Sequence, residues 1–461
     1  MKLYVSKLEK SIGIEAYATS SPGIGGVIRQ HIEDFKVEEL LVDGSKAEIN
    51  PKNLKRKVLG SSEKINHYLL CILVKRRWDN LLAVKAIAQQ LNINSNRIDI
   101  AGIKDTRALT AQFITIEDIS KEELEKLKVK ELKLYPIGYI RNKISSYFLY
   151  GNSFHVKIRK ITHSKSEIKK RLKHVLKELK EIGGAPNFFG HQRFGTRRPI
   201  THLVGKALIK GNFKKAAMLF LAEPGGYENP ESRESRKFLK ETLNFKQALK
   251  IFPKKLFYER LMLKHLSKKP KDFLGAFKRL PLKLRRLFPQ AYQAYLFNKF
   301  LSNRIKRKVT LKKAEIGDYA VNVDLSGLPT PKNYKITNEK TFVEVNRAIL
   351  AGKMFPAIPL IGFKQKLSQG IQGEIERQIL EEENVSPENF KIKEMPEISL
   401  RGNLRTILTP IENFTINELS KDAANPSKNM VELTFQLQRG SYATVVLREL
   451  MKPRNLLTAG F

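Results

Sequence analysis

Near its C-terminal end the chain shows one clear strand, in which Val431, Leu433, Phe435 and Leu437 alternate with polar residues. Gly440 then turns the chain into SYATVVLRELMK, a helix with Ala443, Val446, Leu447 and Leu450 inward. One strand and one helix cannot bury a core of their own. The segment must therefore return to a sheet begun elsewhere, and the N-terminal region is where such a sheet can be read. The middle of the chain becomes an insertion. The division expected is 1–189 for the first part of one domain, 190–401 for the inserted domain, and 402–461 for the second part of the first.

The N-terminal part has the elements such a sheet needs. DFKVEELL places Phe35 and Val37 on one face, and HYLLCILVKR is an apolar run fit for a strand buried on both faces. Asp79 or Asn80 caps a helix whose apolar stripe is Val84, Ile87, Ala88 and Leu91. A strand through Phe113 and Ile116 follows the loop AGIKDTRALTAQ. In GNSFHVKIRKI, Asn152, Phe154, Val156 and Ile158 share one face, opposite His155, Lys157 and Arg159. The next helix, SEIKKRLKHVLKELKEIGG, stops at Gly183; its lysines read as a solvated face. From Arg197 to about Arg401 the texture is Lys-rich and at first helical, with Pro-punctuated loops expected near SGLPTPKNYK and KMFPAIPLIGF.

Charge narrows the partner. Lys plus Arg number 85 against 46 Asp plus Glu, a formal charge of +39. An excess of this size suits a polyanion, since each neutralised phosphate releases counterions. Fourteen Tyr and 25 Phe offer faces on which unpaired bases can stack. The single cysteine, Cys71, lies in an apolar run and reads as core, in a reducing compartment. With no apolar leader at Met1 and no membrane-length apolar stretch, the expectation is a cytoplasmic protein. P-loop, dinucleotide fingerprint, nucleophile elbow and paired metal-ligand spacing are all missing.

Carboxylate chemistry remains. Asp105 sits in a glycine turn between Lys104 and Arg107, with the short side chains Ala108 and Thr110 after it. An aspartate there can simply cap its own backbone. The alternative is a catalytic carboxylate in a site that draws phosphate. Phe154 can be core or a stacking platform, and Asn152, polar on an apolar face, needs a partner either way.

Five stretches in order, EDFKVEE, AGIKDTRALTAQ, GNSFHVKIR, GAPNFFGHQRFG and GSYATVVLRELMK, resemble the TruD-type pseudouridine synthases, a family with archaeal tRNA pseudouridine synthase D and Pus7-like members. The likeness frames nearly the whole chain and is loose in the insertion. It implies an α+β fold: a bent mixed sheet flanked by helices, the pseudouridine synthase catalytic fold, carrying a large inserted α/β TRUD domain. It implies isomerisation of a tRNA uridine, uridine 13 of the D-arm, with no cofactor and no metal. On the matching positions Asp105 becomes the catalytic aspartate and Arg29 its basic partner. Phe154 becomes the ring that stacks on the flipped base, and Asn152 either contacts that base or braces the aspartate loop. Lys104 and Arg107 would meet phosphate or the loop; Gln192 and Arg193 would satisfy backbone or touch RNA. A monomer needing no protein partner is expected. Two rivals from other classes are a non-catalytic RNA-binding relative and a metal-dependent nuclease using Asp34, Asp99 and Asp105.

Overall fold

The computed structural model describes residues 4–52 and 57–461. By contact, the chain forms two units: Ser21–Ala185 with Thr409–Phe461, and Pro186–Leu408 with the residues up to Ser20. The sequence reading counted the chain's start with the first domain; its contacts lie with the middle segment instead. The helix Leu282–Lys306 holds it there: Asn298 Nδ2 donates to the Ile12 carbonyl at 3.0 Å and Ser302 Oγ to the Gly13 carbonyl at 2.7 Å. A side chain at Gly13 would strike the Tyr295 carbonyl, 2.7 Å from the position of its Cβ.

The first unit is built on one eight-stranded sheet. Its strands are β1 (Phe35–Leu41), β2 (Tyr68–Arg76), β3 (Ile98–Ile100), β4 (Leu109–Glu117), β5 (Leu132–Ile140), β6 (Leu149–Ile161), β7 (Glu412–Lys421) and β8 (Asn429–Gln438). The order is β7-β8-β6-β1-β4-β2-β5, with β3 beside β4. Only β1 and β4 run parallel. The C-terminal strand does return, pairing with β6 along nearly its whole length. It brings a companion the sequence reading missed: β7 is mostly exposed, so no apolar alternation marks it.

The continuous apolar run of β2 is explained by burial on both sides. Leu70, Ile72 and Val74 join one core with Phe113 and Ala111, and Leu69, Cys71 and Leu73 join another under α1 (Asn80–Gln90) through Ala83 and Ile87. Asp79 caps α1, accepting from the Leu81 and Leu82 amides. Helix α2 (Lys165–Ile182) ends at Gly183, whose φ of 96° would strain any other residue. Helix α3 is Ala443–Met451.

The second unit is helical from Thr201 to Lys306 and then carries a four-stranded sheet, in the order Asn403–Thr406, Met354–Leu360, Tyr319–Val323, Pro329–Ile336. The two Pro-rich segments expected as loops therefore contain strands. Proline was read as a breaker. Pro329–Ile336, however, lies at the sheet edge, where a missing N–H is cheap. Met354–Leu360 pairs on both sides, with Pro356 and Pro359 within it.

Candidate active site

The register of the sheet aligns a row of side chains across five strands. Lys75 on β2 stands opposite Thr110 on β4, Thr110 beside Val37 on β1, Val37 opposite Phe154 on β6, and Phe154 opposite Phe435 on β8. Two residues along, Glu39, Asn152 and Leu437 form the next row on that face. The loop from Ala101 to Ala108 is anchored on this face.

That anchoring is extensive. Asn80 Oδ1 accepts the Lys104 amide at 3.2 Å, and Asn80 Nδ2 donates to Gln112 Oε1 at 3.1 Å. Gln112 Nε2 donates to the Gly102 carbonyl at 3.2 Å. The Lys104 ammonium pairs with Glu39, whose other oxygen accepts the Phe113 amide at 2.8 Å. Space at Gly102 is tight: a Cβ there would sit 3.0 Å from Lys104 Nζ and 3.1 Å from Leu149 Cδ2, so these side-chain ends would have to give way. Lys75 Nζ donates to the Trp78 carbonyl at 2.8 Å and to the Asp105 carbonyl at 3.3 Å.

Asp105 is presented at the end of this scaffold, its side chain 31% exposed. Arg29 Nη2 donates to Asp105 Oδ2 at 3.1 Å, and Nη1 reaches the Gly460 carbonyl at 3.4 Å. The guanidinium lies over the Phe35 ring, 4.0 Å from its centroid. Burial lowers the Arg29 pKa, Asp105 pulls it back up, and Arg107 adds to the lowering. A guanidinium starts so high that it stays charged.

Next to this pair is an aromatic cluster. Phe154 stacks on Phe435 at 5.5 Å between centroids and meets Phe35 edge-on at 6.2 Å; Phe435 stacks in turn on Phe414 at 6.0 Å. Phe154 is only 6% exposed. Arg29 Nε, Thr110 Oγ1 and Asn152 Oδ1 are among the buried polar atoms of this unit that have no hydrogen-bond partner. Such groups are costly to leave unmade in a core.

Of the residues singled out from sequence, Asp105, Arg29, Phe154, Asn152, Lys104 and Arg107 all lie in this unit, and Arg29 and Asp105 are in contact. Lys104 is turned inward, and a buried ammonium held by Glu39 is not available to phosphate. Arg107 is exposed. Gln192 and Arg193 belong to the other unit, where Gln192 is exposed and Arg193 Nη2 donates to Gln290 Oε1 at 3.0 Å. Phe188 and Phe194 there are fully buried, and Phe189 packs edge-on against Phe297. Asp34 is taken by Arg159 at 2.8 Å and Asp99 by Lys143 at 3.4 Å. Among the described residues no group of three His, Cys, Asp or Glu is arranged to hold a metal ion.

Sequence reasoning missed Glu39, Lys75, Asn80 and Gln112 as loop anchors, and Phe35 and Phe435 as neighbours of Phe154. Glu39 did carry a signal. It is a carboxylate on the face of Phe35 and Val37.

The chain is similar over most of its length to known proteins. The family model for tRNA pseudouridine synthase D (TruD) matches residues 11–450. A protein of Methanosarcina barkeri named for tRNA pseudouridine synthase D is 41% identical over 450 residues, covering 98% of each chain. One from Pyrococcus furiosus, named likewise, is 37% identical over 444 residues, covering 96% of this chain and 99% of its own. A crystal structure from Methanosarcina mazei, described under the same name, superposes with a TM-score of 0.81 at 39% identity, covering 98% of this chain and 99% of its own.

Proposed function

The chain belongs to the tRNA pseudouridine synthase D family, and from that premise we propose that it converts uridine 13 in the D-arm of tRNA to pseudouridine, with Asp105 as the catalytic carboxylate and without a cofactor. The observation that carries this reading is the Arg29–Asp105 ion pair, held on a braced loop beside the Phe35–Phe154–Phe435 rings.

The reaction is an isomerisation. The N1–C1′ bond breaks, the uracil turns while still held, and C5 bonds to C1′. C5 loses its proton and the former N1 ends with one. An ionised carboxylate serves this in either of two ways, by capturing C1′ or by taking a proton from C2′. Arg29 holds the Asp105 carboxylate in place through their ion pair. Phe154 offers a ring to the uracil once it has left the RNA stack, and Asn152 Oδ1 and Thr110 Oγ1 are polar atoms whose burial a bound base could repay. The charge of +39 suits tRNA as the partner. Among the described residues no helix is long and apolar enough to cross a membrane. The protein works on this reading as a cytoplasmic monomer.

The test is incubation with unmodified tRNA, followed by carbodiimide mapping of pseudouridine. A single new stop at position 13 is the expected result. Stops elsewhere would move the target, and binding without any stop would favour the non-catalytic RNA-binding reading.

A further inference from the structure

We infer that Lys75 is a positioning residue for this isomerisation: from beneath the loop its ammonium ties the Asp105 main chain to the end of β2, so that the carboxylate stays on Arg29. The inference rests on the role proposed above for Asp105.

Lys75 closes the apolar run of β2 and is 1% exposed. Among the described residues it forms no ion pair, and its hydrogen bonds go to the Trp78 and Asp105 carbonyls. An ammonium buried on neutral partners is a poor choice for folding alone, since a methionine of similar length would avoid the desolvation. Its surroundings give it a use. The charged groups that act on it are Asp105, Asp79 and Lys104, and Lys104 is already paired with Glu39. Asp105 is thus held twice, at its carboxylate by Arg29 and at its carbonyl by Lys75. Near-attack geometry depends on such fixing, and a misplacement of about 1 Å can cost about 100-fold in rate.

Burial draws the Lys75 pKa down to about 8, with Asp105 and then Asp79 opposing and Lys104 assisting. The consequences for stability and for activity have opposite signs. A folded pKa below the ordinary 10.5 means the folded state favours the neutral amine. The stability from this group is therefore full above about 10.5 and is lost as pH falls through about 8. Activity should do the reverse, falling above about pH 8 as the cation beside Asp105 is lost. General alkaline unfolding would lower both.

The experiment compares wild type, Lys75→Met and Lys75→Arg by single-turnover rate at saturating tRNA from pH 6 to 9.5, by tRNA affinity, and by hydrogen exchange of the 102–107 amides without RNA. Lys75→Met should slow turnover about 10–100-fold. Its affinity should stay within about threefold, because one buried charge adds little to many phosphate contacts. Loop exchange should quicken. Lys75→Arg should recover much of the rate and lose the limb near pH 8; titration of the substrate is common to all three proteins and cancels. Wild-type turnover in Lys75→Met, or a slow Lys75→Met with unchanged loop exchange, overturns the inference. If Lys75→Met does not fold, Lys75→Arg decides alone, and an alkaline limb left in place overturns it. If wild type forms no pseudouridine, the functional reading fails, while the exchange measurement still judges the tether.

Discussion

Arg29 joins two features of the site through one side chain: its Nη2 is 3.1 Å from Asp105 Oδ2, and its plane covers the Phe35 ring at 4.0 Å. Its backbone has φ of 56°, a left-handed conformation rarely adopted by non-glycine residues. Strain of about 1–3 kcal/mol persists where surrounding contacts overdetermine it. Here the Asp105, Gly460 and Phe35 contacts do so.

The pair can be taken apart by substitution. Asp105→Asn should abolish pseudouridine formation, with tRNA affinity within about tenfold, since one small side chain contributes little against many phosphate contacts. Arg29→Lys keeps the charge but loses the planar fork and the stacking, so it should retain binding and turn over more slowly than wild type. Normal single-turnover rates in Asp105→Asn would remove this carboxylate from the chemistry.

Phe154 tests whether a ring can be both core and platform. Burial and two aromatic neighbours mean that Phe154→Ala leaves a cavity costing about 3–5 kcal/mol. Phe154→Leu retains most of the volume and removes the aromatic face. If the ring stacks on uracil, the leucine variant should melt near wild type and still slow turnover more than it weakens binding, since stacking contributes about 1–3 kcal/mol. Equal loss of melting temperature and rate would make the ring core alone.

The fold was legible where burial writes a period into the chain. β6 and β8 alternate cleanly, β2 is uniformly apolar because it is covered on both faces, and α2 has a stripe and a glycine stop. β7 was hidden by its exposure, and the strands at Pro329–Ile336 and Met354–Leu360 by their prolines. In the site, Asp105, Arg29, Phe154 and Asn152 came from motif resemblance. Of the supports, Glu39 and Gln112 stand inside matched stretches without having been assigned a role, whereas Lys75 and Asn80 stand in none. Lys75 and Asn80 lie far along the chain from the loop atoms they bind, and only the sheet register brings them there. Lys104 was left between phosphate and the loop by the resemblance, and its ammonium is found against Glu39, 65 residues away.

Acid should weaken the sheet through Glu38. Burial pushes this carboxyl up, but the His155 ring, the Ile49 amide and Lys46 outweigh it and hold the pKa at about 2, below the ordinary 4.5. A lowered carboxylate stabilises fully above about pH 4.5, and that stability drains away as pH falls towards about 2. Glu38→Gln should therefore melt lower than wild type at pH 7 and converge with it near pH 2. Parallel melting curves across that window would show that the hydrogen-bonded cluster does not discriminate charge.

The helix Leu282–Lys306 carries two basic stretches, LKLRRL at 282–287 and NRIKRK running past its end to 308, and their charges are largely engaged within the second unit. Arg304 is 0% exposed and grips Asp318 at 2.7 and 3.0 Å. Arg285 pairs with Glu397, Arg286 Nε donates to the Glu397 carbonyl at 2.9 Å, and Lys306 pairs with Glu15. Reversing Arg304 would leave Asp318 buried against a like charge, and breaking such a pair costs about 3–5 kcal/mol. Arg304→Glu should thus lower the melting temperature steeply and reveal nothing about RNA. Arg107 is the cleaner probe, being exposed two residues from Asp105. If it meets a phosphate, Arg107→Ala should keep its melting temperature, weaken tRNA binding, and flatten the slope of log affinity against log salt by about one. An unchanged slope would assign Arg107 to the electrostatics of Arg29 and Asp105 alone.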